Sequence, residues 1–262
     1  MKLSTEYFKH LLIRTPLEKP AQELQSLLDT KRKNPEQQEI YLESARIERL
    51  MERIIDRSSN CIDIGCHLGS VMSKILHLAP EGHHLAFEPT PHKAQWLKQK
   101  FPEIAIFEMA LGDTSGEATF YQNTSRSGFS GLRSSKKADD SILEYTVRLE
   151  QLDNIVDLQT PIDFIKIDVE GAELLVLQGA TQILRTYSPI LLFECTKLGL
   201  SNFEIKPIEV FEFLTQYEYQ IFLIKDLLNE QKPIKFEQFE RAMEYPFEAF
   251  NFVAIPQSGN RI

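Results

Sequence analysis

Cysteine is scarce in this chain, with three among 262 residues, at positions 61, 66 and 195. An odd count without paired spacing argues against a disulfide framework and the common zinc patterns, and reads as a reduced, cytoplasmic thiol set. Long apolar runs are missing too. None approaches the ~20 residues of a spanning helix, and "MKLSTEYFKHLLIRT" is broken by charge before a leader-like apolar core forms. Positive charge is in deficit, 29 Lys plus Arg against 38 Asp plus Glu, a net charge of −9. That balance disfavours a nucleic-acid groove and docking on anionic membranes. No fixed-period repeat or long low-complexity tract is present. The expectation is a soluble intracellular protein.

The chain is 42% hydrophobic, enough at this length to bury the core of one large domain. From residue 61, short apolar runs alternate with helix-like segments, the pattern of an α/β sheet with crossover helices. Strands are expected at "CIDIG" (61–65), "HLAFE" (84–88), "IAIFEM" (104–109), "IDFIKID" (162–168), "ILLFE" (190–194), "YQIFLI" (219–224) and "FNFVAI" (250–255). "ATFYQ" (118–122) and "EYTVRL" (144–149) suggest a smaller antiparallel addition. Helices are expected over 69–79, 91–101, 173–187 and 206–217. The near-continuous apolar runs at 162–168 and 190–194 fit central strands covered on both faces.

Upstream, Asn34 and Pro35 are placed to start a helix. Ile40, Ile47, Leu50, Met51 and Ile54 then recur at helical spacing. The division expected is an N-terminal helical extension over 1–35 and one domain over 36–262. The extension could cover the site or mediate a homodimer. Residues 122–141, "QNTSRSGFSGLRSSKKADDS", form a Ser/Gly/charged loop long enough for a lid. A second insertion is expected at 225–248.

Four stretches carry chemistry. In "CIDIGCHLGSVMSKIL", a strand runs into Asp63, Gly65, His67 and Gly69 before a helix, the usual ligand cradle of an open α/β sheet. The dinucleotide pattern G-x-G-x-x-G is absent, which argues against a nicotinamide oxidoreductase. In "HHLAFEPTPHKAQWL", Glu88 ends the next strand and Pro89 follows. A carboxylate there can accept from both hydroxyls of a ribose and would repel a 2′-phosphate. In "EMALGDTSGEATF", Ala110, Leu111 and Asp113 form a turn that could read an adenine edge, with Asp113 accepting from the exocyclic amine.

The fourth stretch, "FIKIDVEGAELLVLQGA", places Asp168, Glu170 and Glu173 where a strand gives way to a helix. Strand alternation would point Asp168 and Glu170 to the same side, whereas Glu173 suits the positive end of the following helix. Two neighbouring carboxylates are costly unless a cation sits between them or one stays protonated; a ligand bearing an ammonium or a sulfonium group would supply that charge.

The ordered set "IDIGCHLG", "AFEP", "MALGD", "RLEQLDNIV", "FIKIDVEGAELLVLQGA" and "LLFE" resembles the FkbM-type methyltransferases over about residues 40–255. The resemblance implies a Rossmann-like, seven-stranded class I methyltransferase sheet with helices on both faces. It also implies S-adenosylmethionine as cofactor, and O-methylation of a sugar or natural-product hydroxyl. Cys66-His67 stand where that family commonly has Ala-Asn, and His67 would lie near the methionine end of the cofactor. Asp168 is expected to hold the cofactor's methionine portion, and Glu170 and Glu194 are the candidate general bases. Ser130 and Arg133 of the loop are expected to touch the acceptor; Arg126, Lys136 and Lys137 would add to an anion-binding edge. Asp168, Glu170 and Glu194 could instead hold a divalent cation. A non-catalytic binding protein of the same fold is the alternative from another class.

Overall fold

The computed structural model describes residues 38–134 and 141–257, together with Thr15. The extension expected over 1–35, Asn34 and Pro35 included, lies outside the described residues, as do Lys136 and Lys137. In chain order the elements are α1 (Gln38–Ile54), β1 (Cys61–Ile64), α2 (Ser70–Leu78), β2 (His84–Phe87), α3 (Pro91–Lys100), β3 (Ala105–Phe107), β4 (Ala110–Leu111), β5 (Gly116–Asn123) and β6 (Ile142–Glu150). They continue with β7 (Phe164–Ile167), α4 (Glu173–Gln178), α5 (Thr181–Tyr187), β8 (Ile190–Glu194), α6 (Lys197–Ser201), α7 (Pro207–Gln216), β9 (Tyr219–Leu223), α8 (Ile224–Leu228), α9 (Phe236–Ala242) and β10 (Asn251–Pro256).

Seven strands form one sheet in the order β3-β2-β1-β7-β8-β10-β9. The first five neighbours run parallel, and β10 is antiparallel to both β8 and β9. Alternation sorts the core onto two faces. Ile62, Ile64, Ile165, Ile167, Leu191 and Phe193 pack on one side, and Cys61, Phe164, Ile190, Leu192 and Val253 on the other. The buried Leu50 and Met51 of α1 join the second side, so the apolar stripe of that helix does pack on the sheet. The register sets Asp63 opposite Lys166 and Lys166 opposite Leu192. Two charged residues thus stand at positions the alternation assigns to a covered face, and this matters at the site.

Two expectations are corrected by tertiary pairing. The strand expected through Met109 stops at Phe107; Ala110 and Leu111 leave the main sheet and pair with β6 in a three-stranded sheet β4-β6-β5. In that sheet β5 and β6 are antiparallel, as expected for the smaller addition. The single helix expected over 173–187 is two. Gly179 accepts at its carbonyl from the Asp153 amide, and the Asp153 carboxylate then accepts from the amides of Gln182 and Ile183, capping α5 from elsewhere in the chain. The insertion expected at 225–248 carries most of α8 and all of α9. No helix among the described residues is long and apolar enough to cross a membrane.

Candidate active site

A cleft of about 640 Å³ opens at the carboxyl ends of the parallel strands, where ligands of open α/β sheets bind, and its size suits a small molecule with a cofactor. Gly65, His67, Glu88, Pro89, Ala110 and Leu111 line it at the β1–β3 side. Asp168, Glu170 and Glu194 line it below β7 and β8, and Ser130 and Arg133 reach it from the 122–141 loop.

The turn after β1 is built by close approach. Gly65 has φ +78°, and a Cβ there would stand 1.8 Å from the Asp168 carbonyl oxygen. Both Gly65 and Cys66 donate their amides to the Phe87 carbonyl, and His67 donates its own to Glu88 Oε2 at 2.9 Å. With these amides used inside the protein, the turn does not present the free N–H cluster of a phosphate cradle. Glu88, buried at the end of β2, also accepts from the Thr90 amide through Oε1 at 2.9 Å. Two carboxylate oxygens offer about four acceptor positions, of which these two bonds use two. That leaves the capacity a ribose diol needs.

Three sequence candidates stand apart from the lining. Asp63 is buried behind the strand ends at 2% exposure. Gly69, at φ +86°, is required by packing: a Cβ there would meet the Phe101 ring at 2.3 Å. Asp113 sits exposed on the turn after β4, because Gly112 donates to the Glu150 carbonyl and ties this segment to the small sheet. Of that turn, Ala110 and Leu111 remain on the cleft wall.

The acids converge, though not as strand alternation implied. β7 ends at Ile167, and Glu170 occupies a left-handed conformation at φ +58°. This turn, unusual for a residue with a Cβ, brings Glu170 back beside Asp168. Carboxylate oxygens of Asp168, Glu170 and Glu194 lie within 4.8 Å of one another. Glu173 is buried at the start of α4 and accepts from the Gly171 and Val169 amides at 3.0 and 3.3 Å.

Beneath the acids stands Lys166, which sequence reasoning passed over. Its Nζ lies 3.1 Å from Asp168 Oδ2, on a side chain only 5% exposed. Burial pulls its pKa down, but Asp168, Glu194 and Asp63 more than offset that, and the ammonium is held above its ordinary value. Burial raises the Glu170 carboxyl to about 8, with Asp168 and Glu173 adding to it and Lys166 and Lys93 opposing. Burial likewise lifts Glu173 to about 7 and Asp63 to about 6. Glu194 is pushed up by burial and by Asp168 and Glu170. A positively charged ligand group above the cluster would relieve these ionisation penalties. The signal for Lys166 was present as a charged residue inside the apolar run "FIKI", two positions before Asp168.

Two further residues escaped the sequence reading. Lys93 of α3 is buried at the cleft wall. Glu43 of α1 accepts from the Phe250 and Asn251 amides at 3.0 Å each and from Asn251 Nδ2 at 2.9 Å, fixing the backbone that leads into β10.

Sheet order, a cleft at the switch between β1 and β7, and an acid at the end of β2 define a class I, Rossmann-like methyltransferase fold. The Methyltransferase FkbM domain matches residues 63–221, and the chain belongs to that family of S-adenosylmethionine-dependent methyltransferases. No curated protein matches it. Among solved structures it is similar to the methyltransferase FkbM of Methylobacillus flagellatus KT, at 14% identity and TM-score 0.45, over 91% of this chain and 59% of that one. The chain thus spans about three-fifths of that relative. It is also similar to a methyltransferase from Streptococcus mutans in complex with SAH (12% identity, TM-score 0.46, 81% and 96% covered). A third is an rRNA methylase from Streptococcus thermophilus (12% identity, TM-score 0.45, 82% and 97% covered). The donor set fits the cofactor: Glu88 keeps acceptor positions for a ribose, and the acids around Lys166 suit a sulfonium and an ammonium.

Proposed function

We propose that the protein methylates a hydroxyl group on a small molecule, with Glu170 as general base and Glu194 beside it. The observation that carries the reading is the convergence of Asp168, Glu170 and Glu194 within 4.8 Å on the cleft floor. When bound, S-adenosylmethionine would supply an electrophilic methyl group, its sulfur keeping the electron pair of the broken bond as the acceptor oxygen gains the methyl. Glu88 is assigned to the ribose, with Gly65, His67 and Pro89 beside it, and Asp168 to the amino-acid portion. Glu170 takes the hydroxyl proton, and its raised affinity for that proton makes it a stronger base than an exposed carboxylate. Alignment of acceptor and methyl can contribute about 7–11 kcal/mol, so the walls matter as much as the base. Ser130 and Arg133, which line the cleft, are assigned to the acceptor. Gly131, between them in the chain, packs on the loop side of Glu170, where an added Cβ would lie 3.4 Å from the Glu170 Cβ.

The excess of Asp and Glu over Lys and Arg, 38 against 29, supports a small acceptor over RNA. The deciding experiment is Glu170→Gln. S-adenosylhomocysteine affinity should stay within about threefold while turnover falls by about 10²–10⁴. Preserved turnover would remove Glu170 as base. The same triad supports a divalent-cation reading, but Lys166 already supplies a cation at 3.1 Å from Asp168, so that reading stands second. A chelator added during turnover separates the two: a drop in rate would favour the metal.

A further inference from the structure

The wall of the cleft nearest Glu194 is made of apolar side chains that core packing leaves uncovered. Five large hydrophobic residues are exposed among the described residues. Two of them, Phe129 at 43% and Leu198 at 63%, line this cleft. A third, Tyr245 at 58%, packs edge-on against Phe247, which lines it too, at 5.9 Å between centroids. Phe247 in turn lies 4.9 Å from Phe250. Three rings therefore run from solvent into the cleft. They end at the residue whose carbonyl accepts from the Cys195 amide, next in the chain to Glu194. Single exposed apolar residues need no explanation, but a cluster around one concave site does.

The line of rings is held in advance. Glu43 accepts from the Phe250 amide, so the wall does not have to order itself when an acceptor arrives. Charge on this wall is already matched, because Lys197 pairs with Glu244 at 2.6 Å and with Glu240 at 3.2 Å. The Arg133 guanidinium lies over the Phe203 ring at 5.8 Å. Aromatic faces set at an angle favour a flat partner, through offset or edge contacts.

We infer that the acceptor is a hydroxylated molecule with a flat, apolar ring system, seated along Phe250, Phe247 and Leu198 while its hydroxyl reaches the Glu170–Glu194 pair. This rests on the methyl-transfer reading and narrows it: a bare sugar would leave the apolar wall wet. The reaction retains a balanced course, since the acceptor loses only its hydroxyl proton and gains the methyl carbon.

The test uses 2-naphthol and methyl β-glucopyranoside as probes on the full chain, titrated with and without S-adenosylhomocysteine. 2-Naphthol should bind and the glucoside should not compete. Leu198→Ser and Phe247→Ser should each weaken 2-naphthol by about fivefold or more, the loss of one side chain's partial apolar contact. S-adenosylhomocysteine affinity should stay within about twofold in both, which also reports that the variants fold. Glucoside binding as tight as naphthol binding, or naphthol binding indifferent to both substitutions, would overturn the inference. Failure of S-adenosylhomocysteine to bind the unmodified protein is a different result. It would remove the methyl-transfer reading, while 2-naphthol alone still reports on the wall.

Discussion

Replacing Lys166 with Met keeps most of the side chain's volume and removes its charge, which isolates the electrostatic role of this buried cation beneath the acid cluster. At 3.1 Å from Asp168 Oδ2, the pair is worth about 5 kcal/mol at an effective dielectric of about 20. Asp168 is 36% exposed on its side chain, so solvent screening reduces this to about 2–3 kcal/mol. Asp63 and Glu194, which also face Lys166, bring the expected loss to about 3–5 kcal/mol, as when one partner of a buried pair is removed. For a domain of this size each kcal/mol moves the melting temperature by roughly 2–4 °C. A drop of about 6–20 °C at pH 8 is therefore expected. At pH 5.5 the drop should be smaller, because Asp63, raised to about 6, would be mostly protonated and need no counter-charge, and the upward shift of Glu194 acts in the same direction. Calorimetry or circular dichroism at the two pH values measures both. A loss equal at the two pH values would mean that Lys166 acts through packing, and the electrostatic argument would be refuted.

Glu88→Gln preserves shape but halves the carboxylate's strong acceptors, and should weaken S-adenosylhomocysteine by about tenfold or more, as charged hydrogen bonds are worth about 1.5–3 kcal/mol; unchanged affinity by calorimetric titration would remove the ribose assignment. The carboxyls of Asp63, Glu173 and Glu170 are all raised, to about 6, 7 and 8, so their contribution to stability is complete at low pH and is lost as pH rises through those values. Thermal melts across pH 5.5–8.5 should show their loss as declining stability, and this decline should be smaller in Glu170→Gln. A cationic cofactor favours the ionised acids, so the affinity of S-adenosylmethionine relative to S-adenosylhomocysteine should rise as pH passes through about 8. A ratio flat with pH would mean that the sulfonium does not sense Glu170. Glu43→Ala should leave cofactor affinity intact and weaken 2-naphthol, because the hydrogen bonds to Phe250 and Asn251 are lost; unaltered naphthol binding would separate α1 from the acceptor wall.

Strand and helix positions were legible in the sequence because each is a local matter of period and turn chemistry. β1, β2, β7, β8, β9 and β10 fall within the expected runs to within a residue or two, and the acids at their ends follow from reading where each run stops. The resemblance through "FIKIDVEGAE" also pointed to the family. Where local reading failed, a remote partner intervened. Asp153 caps α5 from 28 residues upstream and splits a helix that periodicity draws as continuous. Pairing with β6 draws Ala110 and Leu111 out of the main sheet and leaves Asp113 exposed, outside the cleft lining.

By itself, then, the sequence determined an α/β sheet, a glycine turn after its first strand, and carboxylates at the ends of β2, β7 and β8. Only the tertiary structure decided what those carboxylates are to one another. The left-handed turn at Glu170 brings its carboxylate to Asp168 and Glu194, the sheet register sets Lys166 beneath them, and burial raises the proton affinity of Glu170 and Glu194. The reason is physical. Periodicity and capping act between neighbours in the chain, whereas charge interactions and desolvation depend on distance through space and on how much water remains.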